Sequence, residues 1–432
     1  MTSGYTQTGP ANGIKPKRIL LATVGSLGDL HPCLALAFEL KRRGHVVTIA
    51  TTEHYRAKIE GFHLGFHPIR PNWDPTDREM ISQCEDLKRG IEVLYRQWVL
   101  PNLKDTYDDL LVAASNADLM IAGEVNLAAP LVAEKLRLPW VSAILSPASF
   151  ISAYDPSHLV NVPWLFHVRK AGPLVYRVIL NAGRLTVRRW WAPVRQLRRD
   201  QGLSPHCDPV FRDKFSPHQV LALFSPRLAK PQLDWPTQTL QPGFVWFDRQ
   251  SQDSVLDSQL ADFLAAGEPP IVFTQGSTAV HNPGNFFAVS AEAAGMLKRR
   301  AVLVGAGPAS GLASPQILAV PYAPYSQIFP QAAINVHQGG SGTTGQALRA
   351  GRPQLIVPYG WDQPDNAARV ERLGVGLHVP RAAWSPNAAA AALERLLRDT
   401  QFSMHAIEVG AQVQAENGLA TACDAIESLL RA

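Results

Sequence analysis

The stretch VHQGGSGTTGQALRAGRPQLIVPYGWDQPDNAARV, residues 336–370, decides how the chain is read. A short apolar run leads into a glycine-rich turn, a helical pattern, a second apolar run and a polar loop, the signature of one unit of a parallel α/β sheet. A helix N-terminus carries unpaired N–H groups and about half a positive charge, so it suits a phosphate. The helix is expected to begin at Thr343 or Thr344. Gly339, Gly340 and Gly342 ahead of it let backbone approach a ligand, Ser341 and Thr343 add hydroxyls, and His337 at the strand end offers an imidazole N–H. Small residues in a tight packing turn would explain the glycines alone. No Gly-Lys-Ser/Thr follows, and GSGTTG does not fit the dinucleotide spacing. After the second strand, Asp362 and Gln363 set a carboxylate beside an amide, a pair suited to sugar hydroxyls. Asp-Gln-Pro is also a reasonable helix N-cap with proline in the first turn. The two elements together are more specific than either.

The same alternation runs through most of the 432 residues, a length that suggests two domains. Arg18–Thr23, Val46–Ala50, Leu119–Ala122 and Trp140–Leu145 are expected strands, with a helix over Cys33–Arg43. A Pro- and turn-rich segment near 225–248 reads as a linker. Beyond it, Pro270–Thr274, Ala301–Val304, Ala333–Val336 and Pro353–Val357 are expected strands, and Ala388–Arg398 and Met404–Leu430 closing helices. The expected division is a disordered leader at 1–16, an N-terminal acceptor-binding domain at 17–225, a linker at 226–248 and a C-terminal donor domain at 249–432. GAGPASG, residues 305–311, reads as a loop.

Net charge is +5, a mild excess that does not call for nucleic acid. The four cysteines, Cys33, Cys84, Cys207 and Cys423, lie far apart with no CxxC pair, which argues against a disulfide framework or zinc. ILLATVG is too short for a signal-peptide core or a membrane span. A cytoplasmic protein without a metal site is expected.

On these motifs the sequence resembles the family 1 nucleotide-sugar glycosyltransferases of the GT-B fold, whose donor signature runs histidine, glycines, small hydroxyl residues, helix, Asp-Gln. GSLGDLHP, FTQGSTA and the linker words DWP and GF are further matches. Together they are most similar to bacterial rhamnosyltransferase B-chain-like members and to sterol- and antibiotic-type enzymes. The resemblance implies two Rossmann-like parallel-sheet domains facing across a cleft, with the last helix crossing back to the N-terminal domain. It implies an inverting, metal-independent transfer of a hexose or deoxyhexose from a UDP- or dTDP-sugar to a hydroxyl of a hydrophobic acceptor, with no cofactor beyond that co-substrate. By the same resemblance His337 contacts the diphosphate, Gly340, Ser341, Gly342 and Thr343 surround the phosphates, and Ser277 adds a hydroxyl from the facing loop. Ser26 and Gly28 belong to the same donor set. Tyr322 stacks on the base, and Asp362 and Gln363 hold the sugar. Gly345 stands where plant-type members carry a glutamate for the ribose, a mild pointer to a deoxyribose donor. An NDP-sugar 2-epimerase or a non-catalytic nucleotide-sugar-binding subunit would share this cleft.

The base is sought in GSLGDLHP, where a helix is expected to start near Pro32 and to leave Asp29 and His31 in the loop. Asp29 takes the place of the family's base, His31 lies two residues on, and Glu124 is the candidate second acid. A turn or N-cap aspartate is the competing reading of Asp29. Residues 164–200 hold nine Arg/Lys against one Asp, with Trp164, Trp190 and Trp191. This is either a peripheral contact to an anionic membrane or a pair of acceptor-side helices with aromatics packed inward.

Overall fold

The structure, a computed structural model, describes residues 15–158, 162, 165, 168–247, 257–280 and 282–431. The leader apart from its last residues, Trp164 and the end of the linker fall outside them. Thirteen strands among the described residues form two wholly parallel sheets.

The first sheet comprises β1 (Arg18–Ala22), β2 (Val46–Thr51), β3 (Gly65–Pro68), β4 (Leu119–Gly123), β5 (Trp140–Ile144), β6 (Gln219–Ala222) and β7 (Thr239–Leu240), in the order β3-β2-β1-β4-β5-β6-β7. The second comprises β8 (Ile271–Thr274), β9 (Ala301–Val304), β10 (Ile317–Val320), β11 (Ile334–His337), β12 (Gln354–Ile356) and β13 (Gly376–His378), in the order β10-β9-β8-β11-β12-β13. Helices cover both faces, so the central strands are buried on both sides and read as continuous apolar runs such as ILLA and IVF. In each sheet the strand order reverses beside the first strand, between β1 and β4 and between β8 and β11. Ligands of open parallel sheets bind at the C-terminal ends of such reversals. GSLGD, Glu124, the turn after β8 and the glycine turn after β11 all lie there.

Several expectations shift. β3, β6, β7, β10 and β13 were not anticipated, and β7 lies inside the presumed linker, paired in parallel with β6. The helix expected at Cys33 begins at Leu27, with Pro32 inside it. The expected helix over Met404–Leu430 is broken into Thr400–Gln414 and Gly418–Arg431. At the break, Gly418 lies so close to the Phe244 carbonyl that a Cβ there would stand 2.3 Å from it. The final helix packs on the helix Leu27–Arg42: Ala422, Cys423 and Ile426 join the core of the first sheet, and Arg43 bonds Glu427 at 3.0 Å.

A shared core joins the halves. Phe150, Val220, Phe224 and Trp235 from the first meet Leu348, Val370, Val409 and Val413 from the second. Trp235 stacks on Phe150 at 3.9 Å between centroids. The DWP and GF words thus carry Trp235 and Phe244 into this seam. A buried ion cluster adds to it: Arg369, 1% exposed, pairs with Asp365 at 2.7 Å and with Asp155 of the first half. All four cysteines are free.

Candidate active site

The first-sheet wall is built by the turn after β1. Ser26 caps the helix Leu27–Arg42: its Oγ accepts the Gly28 N–H at 3.1 Å, and Asp29 Oδ2 accepts the Ser26 N–H at 2.9 Å, a reciprocal capping box. Gly25, at φ +138°, lies against that carboxylate, and a Cβ there would stand 2.2 Å from Asp29 Oδ2. Asp29 is therefore the capping residue of the competing reading, and also the best-placed carboxylate in the cleft. Burial, and then the negative charges of Glu124 and Asp362, push its pKa up to about 7. Asp362 belongs to the second half, so the two walls come within electrostatic reach of one another.

His31 departs from expectation. Two residues along a helix place it on the opposite side from Asp29. Its ring packs on Phe247 at 5.1 Å between centroids, and Nε2 lies 3.4 Å from Lys58 Nζ. Burial and the Lys58 charge lower its pKa to about 3, so it stays neutral. Glu124, just past β4, is bound by the Ser149 hydroxyl at 2.6 Å and by Lys214, 8% exposed, at 3.2 Å. It acts on Asp29 through its charge and does not orient His31.

The second-sheet wall is the quoted stretch. The helix begins at Ser341, earlier than expected, with Gly340 as N-cap. Gly340 has no side chain to cap it, so the N–H groups of the first turn stay open. Gly339, at φ +93°, would place a Cβ 2.7 Å from Ile356 Cγ2. His337 was expected to offer an N–H to the anion, but it is fully buried with both ring nitrogens engaged. Nδ1 accepts the Gly339 N–H at 3.0 Å, which leaves Nε2–H to face Gln354 Oε1 at 3.0 Å. Burial lowers its pKa to about 4. The neutral imidazole shapes the glycine turn from behind.

Asp362 Oδ2 accepts the Ser341 hydroxyl at 2.7 Å and Asn366 Nδ2 at 2.8 Å; Asn366 also donates to the Gly339 carbonyl at 2.9 Å. Burial raises the Asp362 pKa, partly offset by these bonds. Gln363 Oε1 accepts the N–H groups of Tyr359 and Gly360 at 2.7 and 3.2 Å. The glycine turn and the Asp-Gln pair therefore form one network. Asn366 and Gln354 are the members that sequence reasoning passed over. The i,i+4 spacing of Asp362 and Asn366 on one helix could have revealed the first; no local signal reveals Gln354.

Tyr322 is 47% exposed on the loop after β10. The short helix Gly276–Ala279 after β8 approaches the helix Leu27–Arg42. The Ser277 side chain lies outside the described residues. At Gly345, Phe244 fills the space where a side chain would grow, with Cε1 2.8 Å from a built Cβ, so a glutamate could not stand there without displacing it. In the basic region Trp191 is buried and Trp190 packs beside it in the first-sheet core. The large apolar residues left exposed are instead Leu174, Val175, Val178 and Leu185 of the helix Pro173–Val187. Among the described residues no helix is long and apolar enough to cross a membrane, and no three His, Cys, Asp or Glu side chains come together to hold a metal.

Comparison with known proteins adds to this geometry. The profile of the glycosyltransferase family 28 N-terminal domain matches residues 19–153. That of the erythromycin biosynthesis protein CIII-like C-terminal domain matches residues 301–426. An O-mycaminosyltylonolide 6-deoxyallosyltransferase of Streptomyces fradiae is 33% identical over 95% of this chain and 97% of its own. A sterol 3-beta-glucosyltransferase of Cryptococcus neoformans is 30% identical over 95% of this chain, which spans only 27% of that longer protein. Among solved structures, the glycotransferase of kitacinnamycin superposes with a TM-score of 0.74 at 20% identity, covering 96% of this chain and all of its own.

Proposed function

The chain belongs to the GT-B nucleotide-sugar glycosyltransferases of the antibiotic and sterol type, and from that footing we propose an inverting, metal-independent enzyme. It moves a hexose or deoxyhexose from a UDP- or dTDP-sugar to a hydroxyl of a hydrophobic small molecule or lipid. One observation carries the reading: a half-buried carboxylate of raised pKa on one wall faces an uncapped helix N-terminus on the other, each at the strand reversal of its own sheet.

Asp29 takes the proton of the acceptor hydroxyl as that oxygen bonds the anomeric carbon. The bond to the nucleoside diphosphate breaks on the opposite face of the sugar. The N–H groups of Ser341, Gly342 and Thr343, with the hydroxyls of Ser341 and Thr343, receive the departing charge. His337 supports this step by fixing Gly339. Asp362 and Gln363 hold the sugar hydroxyls, and Tyr322 stacks on the base. Ser26 and Gly28 border the sugar where the helix Leu27–Arg42 begins. A carboxylate of ordinary pKa is a weak base toward an alcohol; a pKa near 7 is matched to the task. Leu174, Val178 and Leu185 with the exposed Arg177, Arg188 and Arg189 form a face suited to an anionic membrane.

A thermal-shift panel of UDP, dTDP and GDP tests the donor assignment, since a ligand that binds the folded chain raises Tm by mass action. UDP or dTDP should raise Tm more than GDP does. Equal shifts, or none, would overturn the assignment.

A further inference from the structure

The ion cluster between the halves sits on the same helix as the sugar-holding residues. The helix Gln363–Arg372 follows directly on Asp362, and its first turns carry Gln363 and Asn366. The same helix carries Asp365, Arg369 and Arg372 at i, i+4 and i+7, which share one face. One segment of the first half grips that face. Asp155 takes Arg369 Nη1 on one carboxylate oxygen and Arg372 Nη1, at 3.0 Å, on the other; the His158 N–H donates to Asp365 Oδ1 at 2.8 Å. The near end of the segment is tied down as well. The Ser152 hydroxyl and the Ala153 N–H bind Asp234 at 2.6 and 2.7 Å, one residue before Trp235 of the seam. Burial works against a charge on Asp155, but Arg369 and Arg372 outweigh it and hold the carboxyl below the usual carboxylate range. The cluster thus pairs two carboxylates with two guanidiniums.

Buried ions are a weak source of stability, because the cost of taking them out of water offsets most of their attraction. The apolar seam of Phe150, Phe224, Leu348 and Val413 already joins the halves. What the ions add is direction. Apolar side chains tolerate sliding, whereas Arg369, 1% exposed, cannot leave its carboxylates without becoming an unpaired buried charge. We infer that Asp155 and Arg369 are positioning residues, which hold the helix bearing Gln363 and Asn366 in one register against the wall that bears Asp29. The inference rests on the transferase reading for what that register serves. Transfer needs both walls at once, and a misplacement of about 1 Å costs about a hundredfold in rate. A bound nucleotide needs only the second wall.

The test measures the distance between spin labels on the two halves of the full chain, without any ligand. The labels sit at Val112→Cys and Met296→Cys, both exposed, with Cys207→Ser removing the half-buried thiol. With the cluster intact the distance should be single and narrow. Asp155→Asn should broaden it or displace its mean by about 2 Å or more, the scale of a hinge rearrangement. Val409→Ala trims the apolar seam and should lower Tm while leaving the distance as narrow as before. Arg372→Gln removes the exposed partner of Asp155 and should broaden the distance less, which keeps the test alive if Asp155→Asn fails to fold. A broad distance with the cluster intact would overturn the inference. So would a distance unchanged in every ion variant that folds, or one broadened equally by Val409→Ala. UDP or dTDP should raise the Tm of Asp155→Asn as it raises that of the native chain. Loss of that rise in the variant alone would make the cluster part of the donor site and overturn the inference. Its absence from both would strike the transferase reading and leave the register to the labels.

Discussion

The two walls of the cleft are built alike and finished differently. Both are turns at a strand reversal that lead into a helix N-terminus. On the second-sheet side the side chains behind the turn are tied into a network, His337 to Gly339 and Gln354, Asn366 to Gly339 and Asp362, Gln363 to Tyr359 and Gly360, although Gln354 Nε2, Asn366 Oδ1 and Thr344 Oγ1 keep no partner. On the first-sheet side a carboxylate is held near neutrality, and the side-chain amide of Asn126 and the indole N–H groups of Trp73 and Trp98 have no partner. On the proposed reading the second-sheet wall serves the nucleoside diphosphate, and a pre-formed amide cradle would recognise it at little ordering cost. On the same reading the first-sheet wall serves the acceptor, which must give up a proton, and there a carboxylate of raised pKa takes the place of an amide cradle.

Substitutions can break that contrast. The largest effect is expected from Asp29→Asn, which should lower kcat by about two to four orders of magnitude, the usual range for loss of a general base. Asparagine still accepts the Ser26 N–H, so Tm and nucleotide affinity should hold. Turnover within a few-fold of the native enzyme would take Asp29 out of the chemistry and leave it a cap.

The pH profile sharpens the same point. Because the Asp29 pKa is raised to about 7, its basic form is scarce in acid and fills as pH rises. Below pH 7, kcat/KM should rise about tenfold per pH unit and then level off. A limb near pH 4 would mean that the carboxyl is not buried during catalysis.

His337→Leu should come next. The Gly339 N–H loses its acceptor, at a cost of about 1–3 kcal/mol, and Tm and donor affinity should fall together. A loss of kcat with Tm and donor affinity unchanged would show the imidazole acting on the reacting group itself. The smallest effect belongs to the outer surface: Leu174→Ser with Val178→Ser should leave turnover of a water-soluble acceptor unchanged and reduce flotation with anionic liposomes at low salt. Native protein that does not float at all would remove the membrane contact.

Much of this was legible in the chain. Parallel strands buried on both faces leave uninterrupted apolar runs, and β1, β4, β8, β9, β11 and β12 fell close to where those runs predicted. The glycine turn was visible because few other functions need that residue set beside a histidine. The edges of the sheets were hidden: β7 is two residues long and β13 three, too short to show a pattern. Pro32 misled the placement of the first helix, since a residue before proline usually avoids helical backbone. Here Pro32 sits one turn in, and the carbonyl it leaves unpaired belongs to exposed Gly28. The orientation of His337 was beyond reach, because its partner Gln354 comes from a neighbouring strand and nothing local marks it. Lys214 beside Glu124 was missed for the same reason: ninety residues of chain separate the pair.

The central claim is that peptide N–H groups at Ser341–Thr343 grip the donor diphosphate without a bridging cation. A crystal structure with UDP or dTDP, grown with magnesium present, tests it most directly. The account predicts phosphate oxygens within about 3 Å of those N–H groups, the usual hydrogen-bond range, and no ion between phosphate and protein. A nucleotide seated elsewhere, or a magnesium ion joining its phosphates to Asp29, Glu124 or Asp362, would contradict it.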